Sequence, residues 1–167
     1  VAILISSILV HPYIFALLFL IVSFLGAWEF NTIVEKNIQS FPSKLVCLLM
    51  NATSYIIITF SILFPNYSYF LYFLLLVFPI SMVVEMYRKT GTSIQNVALN
   101  FMSVVYIAIP FAILNYFYSF YIPNANNGYF LMAFFILIWA NDTGAYIIGS
   151  LIGKHRFFER ISPKKSW

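Results

Sequence analysis

Successive apolar runs, most of them long enough to cross a lipid bilayer, restrict the fold of this chain more than any other feature. Crossing a hydrocarbon core about 30 Å thick takes roughly 20 apolar residues in a helix. Hydrophobic residues make up 62% of the 167 residues and charged residues only 8%, whereas about 25% of the residues in a soluble domain are charged. The sequence therefore predicts an all-α fold, a polytopic bundle of transmembrane helices, and excludes a soluble globular domain.

Polar breaks divide the chain into about six spans. The first apolar run, residues 1–10, covers half a bilayer at about 1.5 Å per residue, so we interpret it as the end of a longer helix. The other predicted spans are residues 13–30, 45–64, 67–87, 97–120 and 129–152. Residues 31–44 are predicted to form a polar loop. Pro79 and Pro110 fall inside spans, where membrane helices tolerate proline.

The positions of the basic residues support this segmentation, because cytoplasmic loops of membrane proteins are enriched in lysine and arginine. All nine lysines and arginines follow an even-numbered span: Lys36, Lys44, Arg88, Lys89, Lys154, Arg156, Arg160, Lys164 and Lys165. A wrong number of spans would distribute these charges over both sides of the membrane. We therefore expect the side that carries them to be the cytoplasm.

The two ends of the sequence shape our expectation of its domain organisation. The chain begins at Val1 without a methionine and stops at Trp167 within a polar stretch. We expect a single membrane-embedded domain over residues 1–167 that is truncated at both ends. Cys47 has no second cysteine for a disulfide or a metal cluster.

Asp142 indicates chemistry more strongly than any other residue. It lies within the sixth span, where an ionised aspartate costs roughly 2.5 to 3.5 kcal/mol at the centre of a helix. Such a carboxylate needs a partner, a cation or water beside it. It could bind Mg²⁺, which prefers oxygen ligands and is often bound by protein carboxylates and substrate phosphates together. A structural ion pair with a neighbouring helix is the alternative. Its helix face also carries Tyr146 and the small residues Ala145, Gly149 and Gly153, which we interpret as a helix-packing surface.

A strongly basic stretch follows the sixth span. Residues 153–167 contain five of the lysines and arginines and one acid. Lys164 and Lys165 beside the hydroxyls of Ser162 and Ser166 fit a phosphate clamp, and an anchor for anionic lipid headgroups fits the charge equally well.

Elsewhere, Glu29 and Glu85 are predicted to be solvated carboxylates at the ends of spans, with Glu29 the better candidate for the edge of a site.

Three segments of the chain resemble the bacterial phosphatidate cytidylyltransferase family, also called CDP-diglyceride synthases. They are Trp28-Glu29, Asn141-Asp142-Thr143-Gly144-Ala145-Tyr146 and Ile161-Ser162-Pro163-Lys164-Lys165-Ser166-Trp167. The resemblance is specific over the last 29 residues and sparse before them, and Ser166 stands where the family more often has threonine. It implies a multi-pass nucleotidyltransferase of the bacterial inner membrane that converts CTP and phosphatidic acid into CDP-diacylglycerol and pyrophosphate, with Mg²⁺ as cofactor.

The same resemblance implies roles for individual residues. Asp142 would bind the metal near the lipid headgroup and act as a catalytic residue, together with Lys164 and Lys165 beside the phosphates. Substrate binding would involve Asn141, Tyr146, Ser162 and Ser166. The longer family signature, with Lys-Asp, His-Gly-Gly and Asp-Arg-x-Asp, is expected after Trp167, so we expect these 167 residues alone to be inactive.

The expected partners are phosphatidic acid, CTP and membrane lipids, with no nucleic acid, and a homodimer is left open. Two other interpretations are also left open at this point. One is a lipid enzyme of the polyprenol kinase type, which would use CTP with a polyprenol. The other is a small-solute membrane transporter with Asp142 as its coupling site.

Overall fold

The computed structural model describes residues 1–38, 42–88, 91–119 and 128–151, and every regular element in these ranges is helical. The first three helices are α1 (Ala2–Val10), α2 (Pro12–Ile38) and α3 (Lys44–Leu63). A 3₁₀ segment, Pro65–Phe73, leads directly into α4 (Leu74–Arg88). Next comes α5 (Ser93–Ser103), which continues without a break into a π-helical turn (Val104–Ala108), α6 (Ile109–Ile113) and a second 3₁₀ segment (Leu114–Ser119). The last described helix is α7 (Gly128–Leu151).

Five helical stretches of the described chain are long and apolar enough to cross a membrane. They are Pro12–Asn37, Lys44–Leu63, Pro65–Arg88, Ser93–Tyr118 and Gly128–Leu151. With the short α1 they match the six predicted spans in number and order. The predicted fold class, an all-α transmembrane bundle, is confirmed.

The predicted polar loop over residues 31–44 was wrong in its first half, because α2 continues to Ile38. Asn31 and Val34 are buried in the bundle, so this part of the helix packs against protein. The hydroxyl of Thr32 donates to the carbonyl of Trp28, and the amide of Asn37 donates to the carbonyl of Ile33. These local bonds satisfy the polar side chains without ending the helix.

The central element of the bundle is α3. Half of its span is buried, compared with 6% of α7. It packs against α2, both 3₁₀ segments, α4, α5, the π turn and α6. The apolar core around it includes Ile8, Phe15, Tyr55, Ala108 and Leu131. Through Leu131 and its neighbours, the first turns of α7 join this core, and α7 packs against α1 and the second 3₁₀ segment.

The π turn at Val104–Ala108 lies immediately before Pro110. Proline has no N–H to donate, and in a regular α-helix its ring would crowd the carbonyl four residues earlier. Here the N–H of Ile109 bonds to the carbonyl of Val104, five residues back, which widens the helix before the proline. Gly26 on α2 faces this turn, where an added Cβ would lie 3.3 Å from Cγ2 of Ile107. Glycine therefore allows α2 to approach closely.

Candidate functional site

The second half of α7 carries three of the predicted site residues, Asn141, Asp142 and Tyr146. All three side chains are exposed, and that of Tyr146 is 77% exposed. Within the described ranges, the ion pairs are Lys44 with Glu35 and Arg88 with Glu85, so Asp142 has no ionic partner there. The structure therefore brings these three residues together on one helix and leaves their surface uncovered by the part of the chain that it describes.

The other predicted site residues, Ser162, Lys164, Lys165 and Ser166, lie outside the described residues. Their roles stay predictions. The same holds for the packing surface of small residues, because Gly153 is also outside the described ranges and Ala145 is exposed.

Asp142 fits a magnesium site as one ligand of several. Among the residues that the structure describes, His, Cys, Asp and Glu form no group of three or more that could hold a metal ion. Magnesium is usually bound through one or two carboxylates together with substrate phosphates and water. Asp142 can supply one such carboxylate, and phosphate oxygens and water would have to supply others.

Glu85 was predicted to be solvated, and that prediction was wrong. Its side chain has 0% exposure. Its carboxylate accepts hydrogen bonds from Nη1 of Arg88 at 2.8 and 2.9 Å, from the backbone N–H of Ser43 at 3.1 Å and from Nδ2 of Asn96 at 3.0 Å. The physical reason is that α4 packs against α5, which turns Glu85 inward, while Arg88 on the next turn compensates its charge.

A second ionic contact lies next to this one, at the same end of the bundle. Nζ of Lys44 is 2.9 Å from Oε2 of Glu35 and 5.5 Å from the ring centroid of Trp28. Because Lys44 follows Ser43, the two contacts connect α2, α3, α4 and α5 where the basic residues begin. Trp28 and Glu29, the pair that resembles the family, are both exposed on α2, and the ring of Trp28 lies beside Lys44.

Sequence reasoning assigned no role to a set of buried polar residues between the helices. Asn96, Asn100 and Ser103 on α5 are fully buried, and on α3 Nδ2 of Asn51 donates to Oγ of Ser103 at 2.7 Å. The signal in the sequence is the spacing of four and three residues along an otherwise apolar span, which places the three α5 side chains on one face. At Ser103 this face meets α3, the central helix, and at Asn96 it meets Glu85 on α4.

A further buried polar contact ties α2 to α3 and to the second 3₁₀ segment. The hydroxyl of Tyr55 donates to the carbonyl of Ala16 at 2.8 Å. Nδ2 of Asn115 is 3.2 Å from the same hydroxyl and 3.4 Å from Oγ1 of Thr59. These groups hold helices together inside the apolar core.

The sequence of this chain is similar to those of known proteins. The sequence profile of the cytidylyltransferase family matches residues 1–167. Relatives include the phosphatidate cytidylyltransferases of Staphylococcus haemolyticus, Staphylococcus saprophyticus and Staphylococcus aureus, which are 37%, 35% and 33% identical over 78 residues. Each alignment covers 47% of this chain and 28% of the relative, so the chain matches less than a third of each relative's length. No solved structure matches.

Proposed function

Because the chain belongs to the cytidylyltransferase family, we propose that the protein containing it makes CDP-diacylglycerol and pyrophosphate from CTP and phosphatidic acid. The observation that carries the proposal is the family match over all 167 residues. Phosphatidic acid is the acceptor that the names of the three staphylococcal relatives indicate. None of those three is a polyprenol kinase or a transporter.

The reaction is a substitution at phosphorus. A phosphate oxygen of phosphatidic acid forms a bond to the α-phosphorus of CTP, and the bond from that phosphorus to the oxygen bridging it to the β-phosphate breaks, which releases pyrophosphate. Catalysis of such a step consists mainly of positioning the two substrates and neutralising charge. Bound Mg²⁺ would contribute by polarising phosphate oxygens.

The chain's own residues would divide this work by position. Asp142 would provide a carboxylate ligand to the metal, and Asn141 and Tyr146, on the same part of α7, would orient the lipid headgroup. Lys164 and Lys165 would neutralise the phosphates of CTP, with the hydroxyls of Ser162 and Ser166 as hydrogen-bond donors. An exposed aspartate in a membrane span requires protein, a cation or water beside it, and a headgroup site would supply all three.

The depth of Asp142 suits two substrates that arrive from different phases. Nine positions separate it from Leu151 at the end of α7, a distance of about 14 Å along a helix. The diacyl chains can therefore remain in the membrane while CTP enters from the end of the bundle that carries the basic residues. We assign that end to the cytoplasm and the protein to the bacterial inner membrane.

The test is an assay of the full-length protein in lipid vesicles with CTP, Mg²⁺ and either phosphatidic acid or a polyprenol. We expect CDP-diacylglycerol from the first and no phosphorylated product from the second. Asp142→Asn should lower kcat by roughly 100-fold or more, because it removes a charge that acts on the reacting phosphates. Glu35→Gln, the same change of carboxylate to amide on α2, is the matched control and should retain activity.

Two results would contradict the proposal. Phosphorylation of the polyprenol would overturn the assigned reaction. Full turnover by the Asp142→Asn protein would overturn the role of Asp142, provided that both variants insert into the membrane in equal amounts.

A further inference from the structure

Three asparagine side chains lie inside the bundle where α3 packs between α2 and α5. They are Asn31 on α2, Asn51 on α3 and Asn100 on α5, and we refer to them as the asparagine cluster. Their exposed fractions are 1%, 0% and 0%. All three belong to membrane-spanning stretches, where the surroundings offer few alternative hydrogen-bond partners.

Two of the three amides, Asn51 and Asn31, lie at the contact between Cys47 and Ser103, and the third lies one helical turn along α5. Nδ2 of Asn51 donates to Oγ of Ser103 at 2.7 Å and to the carbonyl of Cys47 at 3.0 Å. The thiol of Cys47 is 3.4 Å from the same Oγ, and the side chain of Asn31 lies beside this thiol. Asn100 precedes Ser103 by one helical turn on the same buried face of α5.

Much of the hydrogen-bonding capacity of the cluster is unused. Apart from the contact of Asn31 with the Cys47 thiol, neither amide atom of Asn31, neither amide atom of Asn100, nor Oδ1 of Asn51 has a hydrogen-bond partner among the described residues. Buried amides without partners are strongly destabilising, and interior water is the usual remedy where several polar groups converge. The unpartnered atoms include both donors and acceptors. That combination suits water, which can donate and accept, better than a metal ion, which would meet the amide donors unfavourably.

Polar side chains continue from the cluster to the basic end of the bundle. Asn96 lies one turn before Asn100 on the same face of α5, and its Nδ2 donates to Oε2 of Glu85 at 3.0 Å. Glu85 in turn accepts from the backbone N–H of Ser43, just before α3 begins. Buried polar groups therefore lead from the end of the bundle into its interior.

We propose that the asparagine cluster binds ordered water within the membrane-spanning bundle, and that this water exchanges with solvent when the buried contacts of Asn96 and Glu85 at the basic end open transiently. The alternative is a dry cluster in which the amides pair directly with one another. The cluster lies on α2, α3 and α5, whereas the proposed catalytic residues lie on α7 and after it. The inference therefore stands independently of the proposed function.

Cys47, the single cysteine of the chain, is the natural reporter. Its S–H stretching band can be followed by infrared spectroscopy while the 167-residue chain in lipid nanodiscs is transferred into D₂O. With water in the cluster, the S–H band should convert to S–D at least about tenfold faster than a thiol in a dry part of the same bundle, because exchange requires contact with solvent. The dry reference is the double variant Cys47→Ser/Ala108→Cys, since Ala108 is fully buried in the apolar core.

A second variant tests the location of the water. The double substitution Asn31→Leu/Asn100→Leu replaces amides that have no partner other than the Cys47 thiol by apolar side chains of similar size, so we expect the bundle to persist. The Cys47 thiol should then exchange as slowly as the reference thiol. Equal exchange rates for the wild-type and the reference thiol would overturn the proposal, whether or not the leucine variant folds. Fast exchange retained in a folded leucine variant would overturn the assignment of the water to these amides.

Discussion

The side-chain amide of Asn96 donates a 3.0 Å hydrogen bond to the carboxylate of Glu85, and this bond joins α5 to α4 at a point fully removed from solvent. The carboxylate also bonds to Arg88 and to the backbone N–H of Ser43. Ser43, just before α3, and Asn96 on α5 therefore bond to one buried anion. We expect this anion to be a major determinant of the bundle's stability at its basic end.

Glu85→Gln should destabilise the protein by roughly 2 kcal/mol. Removing one partner of a fully buried pair costs about 3 to 5 kcal/mol, and the cost is smaller here because the Arg88 side chain is 32% exposed. The measurement is thermal unfolding of the purified chain in detergent. Glu29→Gln, at an exposed carboxylate, is the matched control and should unfold at the wild-type temperature. Equal unfolding temperatures for both variants would show that Glu85 contributes nothing.

Tyr55→Phe should destabilise the bundle by about 1 kcal/mol, the size typical of hydrogen bonds between transmembrane helices. The substitution removes the donor to the carbonyl of Ala16 and a partner of Asn115. Denaturation in mixed micelles measures the change. Tyr106→Phe, on a side chain that is 71% exposed, makes the same chemical change where no such contact exists in the described structure. An equal loss of unfolding free energy in both variants would contradict the stabilising role of the Tyr55 hydrogen bonds.

Gly26→Val should destabilise the bundle by roughly 1 to 3 kcal/mol, as expected for overpacking. A Cβ added at this position would lie only 3.3 Å from Cγ2 of Ile107, and the two methyl groups of valine would force α2 away from the π turn. Gly144→Val on α7 is the matched control, because a Cβ there meets nothing within 4 Å. Unfolding temperatures that fall equally in both variants would indicate a general cost of valine in these helices rather than a close contact at Gly26.

Replacing both Lys164 and Lys165 by alanine should distinguish a phosphate clamp from a lipid anchor. A clamp predicts that kcat/KM for CTP in the full-length protein falls by roughly 10- to 100-fold, because two charge-assisted contacts to phosphate are lost. The loss should be the same in vesicles of neutral and of anionic lipid. Lys36→Ala, at an exposed position on α2, controls for the loss of a basic side chain elsewhere in the chain. An effect that depends on the lipid composition would favour the anchor.

The orientation of the bundle can be tested with single cysteines in a Cys47→Ser background. Lys36→Cys reports on the basic end, and Asn66→Cys reports on the opposite end, at the start of the first 3₁₀ segment. In intact cells, a membrane-impermeant maleimide should label the cysteine at position 66 and reach the one at position 36 only after the membrane is opened. The reverse pattern would overturn the assignment of the basic end to the cytoplasm.

The number and order of the spans could be predicted because they depend on properties that each segment carries by itself. A run of about 20 apolar residues is recognisable without knowing its neighbours. The placement of the lysines and arginines then limits the possible number of spans. The end of α2 could not be predicted in this way. Its last turns are polar in sequence yet helical, because Asn31 and Val34 pack against other helices.

The burial of Glu85 escaped prediction for the same reason. Its partners are the amide of Asn96 and the backbone of Ser43, which is 42 positions earlier in the chain. A carboxylate near the end of a span is ordinarily solvated, and only the packing of α4 on α5 turns this one inward. For Asp142, the sequence indicated a position within a membrane helix, which the structure agrees with.

The central position of α3 has a consequence for how the chain assembles. Membrane proteins are synthesised from the N-terminus, and their helices enter the bilayer before they associate. Since α3 precedes α4, α5 and α6 in the chain, Asn51 is already in the membrane when Asn100 and Ser103 emerge from the ribosome. The polar face of α5 therefore enters a bilayer in which its docking partner is present. The later spans therefore associate with earlier spans that are already in the membrane.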